Sequence, residues 1–188
     1  MSIKLDKNYK DDVLMFGHKN HMVNFKARDI IYFLQNFSFK PIILDCFKKR
    51  YNLLPKDYIS LHIRNTDRRS DISSFINEHD KLIDNKHIFL ATDDSNVIDI
   101  FKKKYNNIYT FAKICENKTS GGIHFVVRNE VEHTNFNIDT VVDFLLLSSA
   151  KNYYYSCSKS GFSICADILF KEKKTINSLL GICSNDSK

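Results

Sequence analysis

The sequence has no tryptophan, only two prolines and only five glycines in 188 residues. So little proline and glycine excludes collagen-like and linker-rich architectures. No run of about 18 uncharged apolar residues occurs, which argues against a membrane-spanning helix. The N-terminus, Met1-Ser2-Ile3-Lys4-Leu5-Asp6-Lys7, is charged from its fourth residue and has no apolar h-region. A secretory signal is therefore not expected, and a cytoplasmic protein is. The five cysteines, at 46, 115, 157, 165 and 183, form no CxxC and no Cys/His ligand spacing. Scattered through apolar segments in odd number, they read as reduced thiols. His18 and His21 are three apart, but nothing near them completes a zinc site, so no metal centre is expected. Neither a Walker loop nor GxGxxG is present, which removes the main support for a simple NTPase or an NAD enzyme.

What remains is a chain that can fold. It is 43% hydrophobic and 27% charged, and 15 Phe with 9 Tyr supply bulk for a core. A net charge of +6 points toward anionic partners without choosing among them. The runs Lys48-Lys49-Arg50, Lys102-Lys103-Lys104 and Lys171 with Lys173-Lys174 read first as solvated helix ends and loops.

The patterning predicts an N-terminal helical segment over residues 1–57. Ile30, Phe33, Leu34 and Phe37 share one helical face, and Pro41 opens a second helix carrying Ile42, Ile43, Cys46 and Phe47 inward. From Tyr58 the period becomes two: Ile59, Leu61 and Ile63 share one face of a strand, and Ser60, His62 and Arg64 the other. A helix through Phe75, Ile76 and Leu82 follows, then a buried strand His87–Ala91. Next come a helix with Val97, Ile98 and Phe101 inward and a short strand at Ile108–Phe111. Residues 113 to 136 are irregular, with a turn at Gly121-Gly122. Asn137 or Asp139 can cap a helix bearing Ile138, Val141, Val142, Leu145 and Leu146. A strand at Tyr153–Tyr155, a serine-rich loop, a helix from Phe162 to Phe170, a short strand at Thr175-Ile176 and a disordered tail over 185–188 complete the pattern. The alternation predicts a Rossmann-like parallel α/β sheet with helices on both faces, over residues 58–184.

In such sheets ligands bind beyond the carboxyl ends of the strands. Three polar clusters fall there: Arg64 to Asp71, Thr92 to Ser95, and Ser156 to Ser163. The last leads serine hydroxyls, Gly161 and exposed N–H groups into a helix N-terminus, a cradle for an anion or simply a capped helix. Arg64 needs a partner, either a ligand phosphate or a carboxylate of Asp67, Asp93 or Asp143. Asp93-Asp94 could hold a metal, bind a ribose or cap the next helix, and capping is the commonest of these.

His62-Ile63-Arg64-Asn65-Thr66-Asp67-Arg68 resembles the first motif of the α1,6-fucosyltransferases, a His-x-Arg-Arg-Thr-Asp-Lys stretch ending a strand. Ala91-Thr92-Asp93-Asp94 is similar to that family's second signature. Asp143 to Ala150, followed by Ser156-Cys157-Ser158 and a helix, looks like the third. Order and spacing agree over about residues 58 to 170. The resemblance implies the nucleotide-binding half of a GT-B glycosyltransferase. It would transfer a sugar from a GDP-sugar (GDP-fucose) to a glycan acceptor with inversion and without a metal or other cofactor. On that reading Arg64 contacts the β-phosphate, while His62 and Asp143 seat the guanosine. Ser156, Ser158, Ser160, Gly161, Phe162 and Ser163 cradle the diphosphate, Asp67 and Arg68 complete the first motif, and Asp93 and Asp94 order the pocket or meet the acceptor.

The chain departs from the pattern at Asn65, where the family has its second arginine, and at Arg68, where it has lysine. The family's catalytic glutamate falls near Ile72, which makes the adjacent Asp71 the candidate base. The 57 residues before Tyr58 are too few for the usual acceptor domain and read as a remnant of one, so either the acceptor site is minimal, a second chain or a homo-oligomer completes it, or the protein is a truncated form. Two rival readings stand beside the enzyme. One is an inactive nucleotide-sugar or anion-binding module, resting on Asn65 and the missing glutamate. The other is a basic nucleic-acid-binding protein, which no clustered basic–aromatic motif supports, so a nucleic-acid partner is not expected.

Overall fold

The computed structural model describes residues 27–67, 69–114, 129–157 and 160–181. Its elements run α1 (Ala27–Gln35), α2 (Pro41–Tyr51), β1 (Ile59–Ile63), α3 (Ile72–Ile83), β2 (Ile88–Thr92) and α4 (Ser95–Lys104). They continue with β3 (Ile108–Tyr109), α5 (Glu130–Ser149), β4 (Tyr154–Ser156), α6 (Gly161–Lys171) and α7 (Lys173–Leu180). All strand pairs are parallel and the sheet order is β3-β2-β1-β4. The order reverses between β1 and β4, so a crevice opens where the chain leaves them in opposite directions.

β1 lies buried along its whole length, and its two faces have different chemistry. Ile59, Leu61 and Ile63 join Ile88 and Leu90 of β2 in a core closed by Phe75, Ile76 and Ile83 of α3 and Val97 and Phe101 of α4. The opposite face carries Ser60 and His62 beneath α5. There Phe89 and Ala91 of β2 pack with Leu145, Leu146, Phe47 of α2 and Ala166 of α6. Helices thus cover both faces, as the alternation predicts. Leu34, Phe47 and Leu54 belong to this second core, so residues from α1 onward pack with the sheet.

The last turn of α5 is anchored by side chains from the strand beneath it. The Tyr58 hydroxyl donates to the Leu146 carbonyl at 2.6 Å, and the Ser60 hydroxyl to that of Leu147 at 2.8 Å. Helix C-termini leave carbonyls without intrahelical partners, and here buried hydroxyls supply two of the missing donors.

Several sequence expectations change, among them an inward Ile42, which is 53% exposed on α2. The Thr175-Ile176 strand is helix α7: Thr175, Ile176 and Leu180 are buried at helical spacing, and Gly181 at φ 62° ends it in the left-handed region. α5 begins at Glu130, well before Asn137, because Asn129 and Glu132 form a reciprocal capping box. On α3 the core residue is Ile83, whereas Leu82 is 47% exposed. On α1 only Leu34 is buried, and Phe33 is 61% exposed. The Gly121-Gly122 turn and the 185–188 tail lie outside the described residues. Among the described residues no helix is long and apolar enough to cross a membrane, and Cys46, Cys157 and Cys165 are free thiols.

The α3 register is open to direct measurement by urea denaturation. Ile83→Ala is expected to cost about 2–5 kcal/mol, as buried aliphatic truncations do. Leu82→Ala should stay within about 0.5 kcal/mol, as exposed substitutions do. Equal costs would put the α3 face elsewhere.

Candidate functional site

The three polar clusters meet because β2, β1 and β4 are neighbours. A cleft of about 290 Å³ opens at their carboxyl ends, lined among others by His62, Arg64, Thr66, Asp93, Asp143, Ser160 and Phe162. α5 supplies Phe136, Asp139 and Thr140 as well, and the segment after β3 supplies Ala112, Lys113 and Ile114.

His62 closes the floor. Its Nδ1 lies 3.2 Å from the Ser156 hydroxyl of β4, and its ring tilts against Phe162 at 5.1 Å. Burial drives its pKa down to about 4, partly opposed by the charge of Asp93, so the ring is neutral near neutral pH. Arg64 follows at the strand end, and its guanidinium forks onto Asp67, with Nε donating at 2.6 Å. Hydrogen bonding to Asp67 raises its pKa further. Both side chains are more than a quarter exposed, so the pair contributes only about 0–1 kcal/mol. A partner making stronger charge-assisted bonds could displace Asp67 at little cost.

The loop after β1 is held by the acids after β2. Asp93 accepts from the Asn65 N–H at 2.7 Å and the Thr66 hydroxyl at 2.6 Å. Asp94 accepts from the Asn65 side-chain amide at 2.7 Å and caps α4 through the Asn96 N–H. The buried Asn65 therefore ties two strand ends together, a use of that position that adds no positive charge to the cleft. Asp71 caps α3, accepting from the Ser74 N–H at 2.9 Å, and is not among the cleft-lining residues.

The α6 N-terminus faces the same space. Ser160 and Ser163 form a capping box: the Ser160 hydroxyl accepts from the Ser163 N–H at 3.1 Å, and the Ser163 hydroxyl from the Ser160 N–H at 2.7 Å. Gly161 and Phe162 occupy the first helical positions, where N–H groups lack intrahelical partners. A Cβ built on Gly161 would meet nothing within 4 Å, so open space lies beside that turn. Arg68 and Ser158 lie outside the described residues. Among the described residues no group of three His, Cys, Asp or Glu side chains could hold a metal ion.

Asp143 is the most perturbed acid of the cleft. It comes from the middle of α5 and is buried, and burial pushes its pKa up to about 7 against the pull of Arg50. Arg50 of α2 binds Asp139 directly and stands 3.9 Å from Asp143 Oδ1. Neither Arg50 nor Asp139 was a sequence candidate. The i, i+4 spacing of Asp139 and Asp143 could have marked Asp139, since both fall on one face of α5 once that helix begins at Glu130.

The pKa shifts of His62 and Asp143 act on stability with opposite signs over one window. Asp143 rises from 3.8 to about 7, so the stability it supplies in acid is lost as pH climbs through that interval. His62 falls from 6.5 to about 4, so its contribution is present above 6.5 and lost as pH drops toward 4. The two offset each other in the native chain. Asp143→Asn should make stability rise with pH across this window, and His62→Gln should make it fall. Each slope is at most about 1.4 kcal/mol per pH unit, read by denaturant titration. Parallel slopes in the two variants would refute the opposition.

No protein-family model matches the sequence, and no curated protein matches it significantly. Among solved structures, the crystal structure of the NodZ α-1,6-fucosyltransferase soaked with GDP-fucose is similar over 79% of this chain. The identity is 16% and the TM-score 0.53. The match covers 48% of that enzyme, so the chain spans about half its length. The relation is one of fold: a parallel sheet with helices on both faces, the architecture of one half of a fucosyltransferase.

Proposed function

We propose that the chain binds a nucleotide sugar, of the GDP-fucose class, in the cleft beyond β1 and β4, and acts as a glycosyltransferase of the GT-B kind. The single observation that carries this reading is the convergence of Arg64, the α6 N-terminus and the buried carboxylate of Asp143 on one cleft. The first two favour a diphosphate, and the third favours a group presenting N–H donors, such as a nucleobase edge. The likeness in fold to a fucosyltransferase whose crystal was soaked with GDP-fucose supports the same assignment.

The chemistry is a displacement at the anomeric carbon in which the bond to the β-phosphate oxygen breaks as the acceptor oxygen bonds from the opposite face. Negative charge grows on the departing diphosphate. Arg64, exchanging Asp67 for phosphate, and the α6 N-terminus stabilise that charge without a metal ion. The hydroxyls of Ser160 and Ser163 are committed to the capping box, so backbone N–H groups of the first turn carry the phosphate contacts. His62, neutral and packed on Phe162, shapes the floor. Asp93 and Asp94 order the Arg64 loop through Asn65 and Thr66. The acceptor proton needs a base. Asp71 lies outside the cleft lining, and Asp93 already accepts two hydrogen bonds, so a base supplied with the acceptor site of a second chain is the consistent arrangement.

The second reading, a nucleotide-sugar-binding module without transfer, draws on the same observations of Asn65 and Asp71. Calorimetry with GDP separates both from a chain that binds no nucleotide, and Arg64→Ala should weaken binding about tenfold or more. An unchanged affinity would remove Arg64 from the site, and no binding at millimolar GDP would end both readings. A donor-hydrolysis screen with GDP-fucose, GDP-mannose and uridine diphosphate sugars then divides them. Release of GDP supports the transferase, while tight binding without release supports the module.

A further inference from the structure

Two buried side-chain polar atoms lack a hydrogen-bond partner among the described residues, Arg50 Nη1 and Asp143 Oδ1. They face each other at 3.9 Å, too far for a hydrogen bond. Arg50 Nη2 is committed to Asp139, one turn before Asp143 on α5, and the guanidinium lies over the Phe111 ring at 5.9 Å. One cation thus stands against two carboxylates. Asp139 and Asp143 line the cleft, while Arg50 stands behind them on α2.

A staple made only to join α2 to α5 would be satisfied by the Arg50–Asp139 pair. A second carboxylate with one oxygen in contact with neither water nor a donor costs stability, since a buried unsatisfied polar group costs about 1–3 kcal/mol. An apolar residue at 143 would avoid that cost. Asp143 nonetheless lines the cleft and its side chain keeps 10% exposure, so a ligand donor can reach the carboxyl from that side.

We propose that Arg50 is a positioning residue of the cleft: from α2 it sets the charge of Asp143, with Asp139 opposing it, and so sets the pH at which the cleft accepts a donor-bearing ligand. The inference rests on the nucleotide reading only for the identity of that ligand. Burial pushes Asp143 upward, Arg50 pulls it down and Asp139 pushes it up again, leaving it poised near neutrality. The other charged or titratable groups facing the cleft are His62 of β1, Arg64 after it, Asp93 after β2 and Lys113 after β3. His62 is already neutral above about pH 5 because its own pKa is near 4. On the other elements packed against α5, Lys171 pairs with Asp167 on α6 and Lys173 of α7 with the Ala150 carbonyl, while Asp45, Lys48 and Lys49 of α2 and Lys174 of α7 are exposed and outside the cleft lining.

The test reads Asp143 directly. Its carboxyl carbon is titrated by NMR in the ligand-free protein from about pH 5 to about pH 9, with Asp143→Asn providing the assignment. Arg50→Gln should move the midpoint up by about one unit or more, Asp139→Asn should move it down, and Arg50→Lys should restore most of the native value. In parallel, GDP affinity measured by calorimetry at pH 7 should fall about tenfold in Arg50→Gln and recover at higher pH, the recovery following the shifted midpoint. If Arg50→Gln does not fold, Arg50→Met, which keeps the stem and removes the charge, is read in its place, because a purely structural staple predicts no upward shift there. A midpoint that stays put in the foldable variants, or moves the same way in both, overturns the proposal. If GDP binds no form of the protein, the nucleotide reading fails, and the NMR midpoints still decide whether Arg50 sets the charge of Asp143.

Discussion

Everything near the cleft depends on β1 being buried on both faces while one face is polar. A strand sealed between two helical layers cannot leave Ser60, His62 or the hydroxyl of Tyr58 unpaired. The packing answers by bringing the last turn of α5 over the strand, where its free carbonyls accept from Tyr58 and Ser60. His62 is satisfied from the other side, by Ser156 of β4. The need to pair three buried polar groups therefore fixes where α5 and β4 sit. Those two elements bring Asp143 and the α6 N-terminus to the end of β1.

The cleft that results is not simply basic, despite the chain's net positive charge. Arg64 is held loosely by Asp67, and the position after it is spent on a neutral residue that joins the loop to Asp93 and Asp94. Asp139 and Asp143 add negative charge on the α5 side, answered from behind by Arg50. The cleft lining therefore carries two kinds of group, suited to different parts of a ligand. An anionic group suits Arg64 and the α6 N-terminus, and a donor-rich group suits the α5 wall. Such division of labour is what a nucleoside diphosphate requires. It also explains why net charge alone is a poor guide, since most of the lysine runs, such as Lys48 and Lys49, are exposed and lie outside the cleft lining.

Much of the architecture was legible in local patterns. The alternation from Ile59 to Arg64 assigned both faces of β1 correctly because a strand's period of two is strict and each face met a different environment. The run His87 to Ala91 announced a strand buried on both sides, and Pro41 opened a helix. What local reading missed were features whose causes lie elsewhere in the chain. Thr175-Ile176 looks extended in isolation, yet it is helical because Ile176 and Leu180 must face one core together. Leu82 and Ile83 are equally apolar, and only the position of α3 over the sheet decides which of them is buried. The start of α5 was in principle readable from Asn129 and Glu132, but it competed with the stronger apolar periodicity beginning at Ile138.

The candidate site divides the same way. Sequence alone determined that His62 and Arg64 project together from a strand end, that acids follow β2, and that serines precede a helix, because these are consequences of backbone period and capping chemistry. It could not determine that Asn65 would tie down both acids, that Asp71 would cap α3 away from the cleft, or that Arg50 would stand behind Asp143. The Asp71 cap is itself local and only its distance from the cleft is tertiary, whereas Asn65 reaches Asp94 across 29 positions and Arg50 reaches Asp139 across 89. Only the tertiary packing of α2 and α5 across the sheet decides them, since a buried carboxylate takes its charge from whatever the fold places beside it.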